Sequence, residues 1–371
     1  MSGRTDRIRK LACPMHHIFP ISVLCTALVF STGCSQQEQS PASPAAPTTE
    51  TRSVDNEIPM PAEQDAPHRR NFRFNYAGVI DGLEPGQQAD VWLPLAQDTF
   101  EQTILGTTIV VPGDVQTTTE ARFGNKLVYF RGQADSRGEI AFQVLYKVQR
   151  DEYRSGQEEK VSNEDLEKFR QATDRVPIDR NLTSVVFPDS PPPQPGKDTL
   201  AFGRAIYDAI FERMRYEKPV GGDWGHGDAV WACDSRYGNC TDFHSLFLAL
   251  CRESKVASRF EIGFPIDTGR ATGEVGGYHC WAKFANGDRW VVVDISEADR
   301  DPAKKDYYFG NLPSARFTLS IGRDLQLEPR QKSGPVNFLV YPHVEVDGVH
   351  HMRFRKRFSF SDLSAEDAAG G

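Results

Sequence analysis

Cys240 is followed by Phe243, Leu246, Phe247 and Leu250, apolar residues that recur at helical spacing. The thiol is therefore expected at the first turn of a buried amphipathic helix. The positive end of a helix favours thiolate over thiol, and a cysteine so placed is a candidate nucleophile. Gly238, two residues earlier, is expected to let the backbone come close to a substrate. Downstream, residues 278–284 read as a strand, Asn286-Gly287-Asp288 as a hairpin turn, and residues 290–294 as a second strand. Antiparallel pairing across that turn sets His279 and Asp294 at one end of the hairpin. The carboxylate can then hold one imidazole nitrogen while the other faces the thiol, so that cysteine, histidine and aspartate form one reactive unit.

Neighbouring residues fall into supporting or structural readings. The backbone N–H of Cys240 is the natural first donor to an oxyanion, and Trp231 or Asn239 is a candidate for the second. His244 shares the helix face of Cys240 and is the local rival to His279 as base, but a base is expected from across the cleft, so His244 reads as a structural or pocket residue. The glycine-rich stretch 267–277 leads into His279 and reads as a mobile lid. Cys251, on the apolar helix face, and Cys280, alternating with His279 on its strand, read as small core residues. Cys233 is a possible disulfide partner of Cys240, subject to loop geometry. His226 lies in a glycine-rich loop, and no helix or hairpin is expected to bring His343, His350 and His351 together. The cysteines lack paired C-x-x-C spacing, so no metal site and no cofactor is expected.

These residues fall in a domain expected at 199–325, opened by Asp198 as a helix cap before Phe202, Ile206, Ile210 and Met214. Residues 71–150 alternate with period two, as in Phe72-x-Phe74-x-Tyr76 and in the run from Ile140 to Val148, and read as a small all-β, sandwich-like domain. Residues 151–198, with Pro191, Pro192, Pro193 and Pro195, read as a linker, and 326–371 as C-terminal strands and a tail. The cluster Arg353, Arg355, Lys356 and Arg357 alternates with Phe354, Phe358 and Phe360 like the solvated face of a strand. The 371-residue chain has a net charge of -8, and its first 33 residues carry Arg4, Arg7, Arg9 and Lys10 against Asp6, so the remainder is more acidic still. That balance argues against nucleic acid as partner.

The basic stretch to Lys10 precedes an apolar run, Ile18 to Phe30, that is too short to span a bilayer. With Ser31-Thr32-Gly33-Cys34 it resembles a lipoprotein signal, 1–33, although Ser31 stands where that box usually has leucine. Cys34 is then expected to carry lipid. Residues 34–70, proline-rich and poor in large apolar side chains, are expected to be a disordered tether to the bacterial envelope. By the same resemblance, Ser35 rather than Asp after the cysteine implies retention at the outer membrane, at its periplasmic face.

Gly238-x-Cys240-x-Asp242, Tyr278-His279-x-Trp281 and Trp290-x-x-x-Asp294, in that order, resemble the transglutaminase-like core of many bacterial proteins over about residues 200–325. The resemblance implies a papain-related α+β fold with a nucleophile helix on an antiparallel sheet, and Cys240, His279 and Asp294 as nucleophile, base and orienting group. It leaves open a peptidase, an amidase or a true transglutaminase acting on a protein or peptide-like substrate, with hydrolysis slightly preferred. It does not carry over calcium regulation. A non-catalytic envelope scaffold using the same cleft is the alternative, and a docking role for the β domain is a third reading.

Overall fold

Strict alternation of buried and exposed side chains runs through β1 (Arg69–Ile80) and β6 (Ile140–Asp151) of the computed structural model, which describes residues 69–196 and 199–364. The signal, Cys34, most of the tether, Asp198 and the last seven residues lie outside the described residues. Between β1 and β6 come β2 (Gln88–Leu95), β3 (Gln102–Val110), β4 (Gln116–Thr119) and β5 (Lys126–Gln133). Then follow α1 (Asn163–Lys168), α2 (Leu182–Val186), α3 (Leu200–Arg213), α4 (Ala229–Ser235) and α5 (Cys240–Glu253). The second half holds β7 (Ser258–Pro265), β8 (Thr272–Glu274), β9 (His279–Asn286), β10 (Arg289–Val293), α6 (Ile295–Arg300), β11 (Arg316–Ile321), β12 (His343–Val346), β13 (Val349–His350) and β14 (Phe354–Asp362).

Three sheets result, ordered β3-β6-β1-β14-β8, β10-β9-β7-β11 and β13-β12-β2-β5-β4. All their strand pairs are antiparallel. The fold is α+β, with α5 packed on the four-stranded sheet.

The division into a β domain at 71–150 and separate C-terminal strands is not how the chain is arranged. β1 pairs with β14 along its length, and β2 pairs with β12. The buried faces join one continuous core: Phe74 lies against both Phe264 and Phe317 of the four-stranded sheet, at 5.1 and 4.6 Å between ring centroids. Residues 151–196 are likewise packed rather than a simple linker, with Tyr153, Phe169, Val176 and Leu182 buried. The period-two pattern identifies a half-buried strand but carries no information about a partner far away in sequence.

Helix α5 is buried on all sides from Cys240 to Arg252, where an amphipathic helix is expected. Its polar side chains are tolerated because each is bonded. Ser245 donates to the Thr241 carbonyl and accepts from Arg323, while Arg252 donates to the Gln171 and Ser258 carbonyls. Arg323 also reaches the Gly227 carbonyl and Asn337, tying α5 to the loop before α4 and to the C-terminal segment.

A second polar set lies between sheets. Lys283 of β9 meets Glu101, Glu159 and Glu261 at 3.0 to 3.1 Å, and Glu101 also pairs with Arg150 of β6 at 3.2 Å. Trp281 donates its indole N–H to Glu261 at 2.7 Å. Buried ions in this number persist only when every one is paired and hydrogen-bonded, and the network fixes how β9 sits against β6.

Candidate active site

Cys240 is the first residue of α5, with Asn239 as its cap. The Asn239 side chain accepts from the Thr241 N–H at 2.9 Å, and Asp242 accepts from the Asn239 N–H at 2.9 Å, a reciprocal capping box. Asp242 goes further, taking the N–H groups of Gly225 at 2.7 Å and Gly227 at 2.8 Å. This buried carboxylate, raised from its ordinary range by burial, pins the glycine-rich 222–228 loop to the start of the cysteine helix. Gly238 is needed for the same reason: a Cβ there would meet the Asp242 Oδ2 at 2.5 Å. Its smallness makes room for this carboxylate.

Hairpin β9–β10 closes as its turn residues dictate, and Val293 pairs with Ala282, so that Asp294 follows directly after the strand and its carboxylate reaches diagonally to His279. His279 Nε2 lies 2.7 Å from Asp294 Oδ2, which leaves Nδ1 for the sulfur of Cys240. Asp294 is fully buried and serves as the cap of α6: Oδ1 accepts from the Glu297 N–H and the Ser296 hydroxyl, both at 3.1 Å. Its Oδ2 also takes a hydrogen bond from Arg316 of β11 at 3.3 Å. Burial opposes the charged form of Asp294, but His279 and Arg316 outweigh it and hold the carboxyl far below its usual range.

The electrostatics follow from these contacts. Burial is the largest single influence on Cys240 and disfavours its thiolate. The Cys280 thiol, the His279 ring and its charge, and the Cys280 backbone N–H together reverse that, lowering the thiol to about 6. Burial likewise works against charge on His279, yet Asp294 and the Cys240 sulfur raise it to about 10. Both shifts favour the thiolate–imidazolium form of the pair. Both groups are nearly enclosed, Cys240 at 2 % and His279 at 4 % exposed.

Both ring nitrogens of His244 are engaged by backbone groups. Its Nδ1 is 2.8 Å from the Cys240 carbonyl oxygen and its Nε2 accepts the Ile295 N–H at 3.2 Å, which fixes a neutral ring with the proton on Nδ1. Burial drives its titration down to about 4. It is a strut between the start of α5 and Ile295, the residue after Asp294. Asn239, a candidate oxyanion donor, is committed to its cap and donates its side-chain N–H to the Tyr278 hydroxyl at 3.2 Å. Trp231 stacks on His226 at 4.3 Å and meets Tyr237 edge-on at 5.4 Å.

Residues beyond the sequence reading also bear on the site. Tyr278 lies within the electrostatic reach of Cys240, with its titration pushed upward by burial first and then by the two nearby thiols, so it stays a neutral hydroxyl. Cys280 is buried as expected, but its sulfur faces the site: it lies 3.6 Å from His244 Nδ1 and interacts with Cys240. Strand alternation distinguishes the faces of a sheet, whereas the start of α5 sits at the end of β9, where both consecutive residues border it. Arg316 follows Asp294 by 22 residues in an unrelated strand, and no spacing marks it. The Tyr278–Asn239 bond similarly becomes visible only in three dimensions.

Cys233 and Cys251 are free and buried, and burial raises both thiols. The stretch 267–277 is less free than a mobile lid: β8 pairs with β14, and Arg70 holds the carbonyls of Asp267 and Arg270 at 2.8 and 2.9 Å. A polar groove of about 1290 Å³ runs along Glu274–Gly277 and reaches Glu297, Tyr308 and Arg316 on the Asp294 side. The β12–β13 hairpin stacks His343 on His350 at 4.6 Å, where no hairpin is expected. His351 instead lies 2.8 Å from the Asp81 carbonyl.

Residues 193–295, which contain Cys240, His279 and Asp294, match the Transglutaminase-like superfamily. A relative from Haemophilus influenzae, an uncharacterized protein, is 27% identical over 219 residues, 50% of this chain and 58% of the relative, so the chain spans less than two thirds of that relative's length. Among solved structures, the "Putative Cysteine Protease" of Cytophaga hutchinsonii superposes with a TM-score of 0.53 at 14% identity, covering 80% of this chain and 92% of that one. At that identity the likeness is one of fold. A transglutaminase-like core built into mostly antiparallel sheets describes the architecture.

Proposed function

We propose that the protein is a cysteine enzyme of the bacterial envelope that cleaves or transfers peptide-like amides through a thioester on Cys240. The observation that carries this reading is the placement of Cys240 at the start of α5 beside a His279 whose other nitrogen is held by Asp294 at 2.7 Å. In the reaction, the Cys240 thiolate attacks the amide carbonyl carbon and the C–N bond breaks as the His279 imidazolium gives its proton to the departing amine. Neutral His279 then takes a proton from an attacking water, and the thioester C–S bond breaks to release the acid. The Cys240 N–H at the helix start would take the oxyanion, with the Tyr278 hydroxyl or Trp231 as the second donor, since the Asn239 side chain is engaged in its cap and with Tyr278. The signal-like N-terminus and Cys34 support export and lipid anchoring; metabolic labelling with a fatty-acid analogue should tag the wild type and not Cys34→Ala.

Hydrolysis is the expected outcome because the groove that borders Arg316, the partner of Asp294, is lined by charged and hydroxyl-bearing side chains, including Glu297, Arg300 and Tyr308, that hold water near the site. Wild type and Cys240→Ala would be incubated with glutamine-containing peptides and casein, with and without a primary amine, and products read by mass. Cys240-dependent chain cleavage or ammonia release supports the hydrolase. Amine incorporation outrunning both would favour a transglutaminase, and no Cys240-dependent product would support the scaffold reading instead.

A further inference from the structure

Four free thiols lie among the described residues, and their surroundings differ. Cys251 is embedded in the α5 core, and Cys233 sits on α4 with its carbonyl held by Arg213. Cys280, by contrast, is fully buried yet turned toward the first turn of α5. Its sulfur lies 3.6 Å from His244 Nδ1, the same atom that is 2.8 Å from the Cys240 carbonyl oxygen, and its thiol and backbone N–H both act on the Cys240 sulfur. The mechanism proposed above does not use this second thiol.

We propose that Cys280 is the resolving thiol of Cys240, so that a peroxide converts the pair reversibly into a Cys240–Cys280 disulfide. The inference rests on the reading of Cys240 as the reactive thiolate. In the first step that sulfur attacks the peroxide: an S–O bond forms, the O–O bond breaks, and the departing hydroxide takes the proton of His279 to leave as water. Sulfur is oxidised by two electrons to a sulfenic acid and the peroxide is reduced by two. In the second step the Cys280 sulfur attacks the Cys240 sulfur, the S–S bond forms and the S–O bond breaks. The Cys280 proton, taken by the now neutral His279, leaves with the hydroxide as a second water. One peroxide and two thiols thus become one disulfide and two waters.

The arrangement also gives the pair an order of reaction. Burial and the adjacent thiolate hold the Cys280 thiol protonated, so it donates to Cys240 in the resting state and does not compete with it for the oxidant. Resolution would spare Cys240 from over-oxidation to sulfinic and sulfonic acids, which a thiol reductant does not reverse. A chain exposed to the oxidising envelope would thereby have an inactive form that small thiols restore.

The test uses the full chain, reduced, treated with hydrogen peroxide, blocked with an alkylating agent and digested without reduction. The wild type is expected to yield a disulfide-linked pair of peptides containing Cys240 and Cys280, and dithiothreitol should restore alkylation of Cys240. In Cys280→Ala and in the near-isosteric Cys280→Ser, matched to the wild type by thermal unfolding, Cys240 should proceed to sulfinic and sulfonic acids, and dithiothreitol should restore little of its alkylation. A wild type in which Cys240 is over-oxidised while Cys280 stays free, or in which Cys240 pairs with Cys233, would overturn the proposal. The readout is a mass and not turnover: a chain that forms the linked pair yet processes no peptide would contradict the proposed function alone, and an active enzyme without the linked pair would contradict this inference alone.

Discussion

The Asp294 carboxylate and the His279 ring meet at 2.7 Å, and every other contact of that carboxylate serves to keep it ionised. Ser296 and the Glu297 N–H take one oxygen, and Arg316 shares the other with His279. The cap of a helix, a buried arginine and an imidazolium converge on one aspartate. His279 can consequently hold a proton while enclosed in the protein.

Replacing Asp294 by Asn should act on both charge partners. Without the carboxylate His279 loses what holds it near 10, so the titration of Cys240 moves up from about 6 toward the ordinary thiol range. Leaving buried Arg316 with Glu297 alone, at 3.5 Å, as its ionic partner should cost up to about 3–5 kcal/mol. The sign of the pH effect follows from the depressed carboxyl: its contribution to wild-type stability is whole above the unfolded value of about 3.9 and is lost as pH falls through the lower folded value. Urea unfolding at several pH values should show this acid loss in the wild type and a smaller one in Asp294→Asn; equal acid sensitivity would contradict the assignment.

His244→Gln separates a strut from a base. Loss of the bonds to the Cys240 carbonyl and the Ile295 N–H should lower stability by about 1–3 kcal/mol. The pH midpoint for Cys240 alkylation should stay in place, because His244, titrating near 4, is neutral throughout that range. A midpoint that moves up toward the ordinary thiol range in this variant would assign the base to His244 instead of His279.

Two glycines near the site should behave oppositely on substitution. Gly238→Ala drives a Cβ into Asp242 and should destabilise by about 1–3 kcal/mol, whereas Gly276, with nothing within 4 Å of its Cβ position, should accept alanine with a change within about 0.5 kcal/mol. Melting temperatures of the two variants measure the contrast. Similar losses in both would mean that Asp242 yields easily and does not define the start of α5.

These contrasts mark what a linear reading can reach. Cys240 at a helix start and His279 across from Asp294 are legible because each rests on local periodicity and a short turn. The single core joining β1 to β14, the Arg316 bond and the Cys280 contact are not, since strand partners and buried ion pairs arise between segments far apart in sequence. Asp242 lies in between. Its spacing from Cys240 is visible, but its three backbone hydrogen bonds to the loop and cap require the fold.

The central claim, that His279 and Asp294 make Cys240 a thiolate at neutral pH, is tested most directly by the pH dependence of Cys240 alkylation, followed by peptide mapping. The wild type should show reactivity rising through about pH 6 and level above it, with Cys251 unreactive in the folded chain. His279→Ala should move that rise upward toward the ordinary thiol range. A wild-type midpoint between 8 and 9, near the ordinary thiol value of about 8.5, or one that His279→Ala leaves unchanged, would contradict the account.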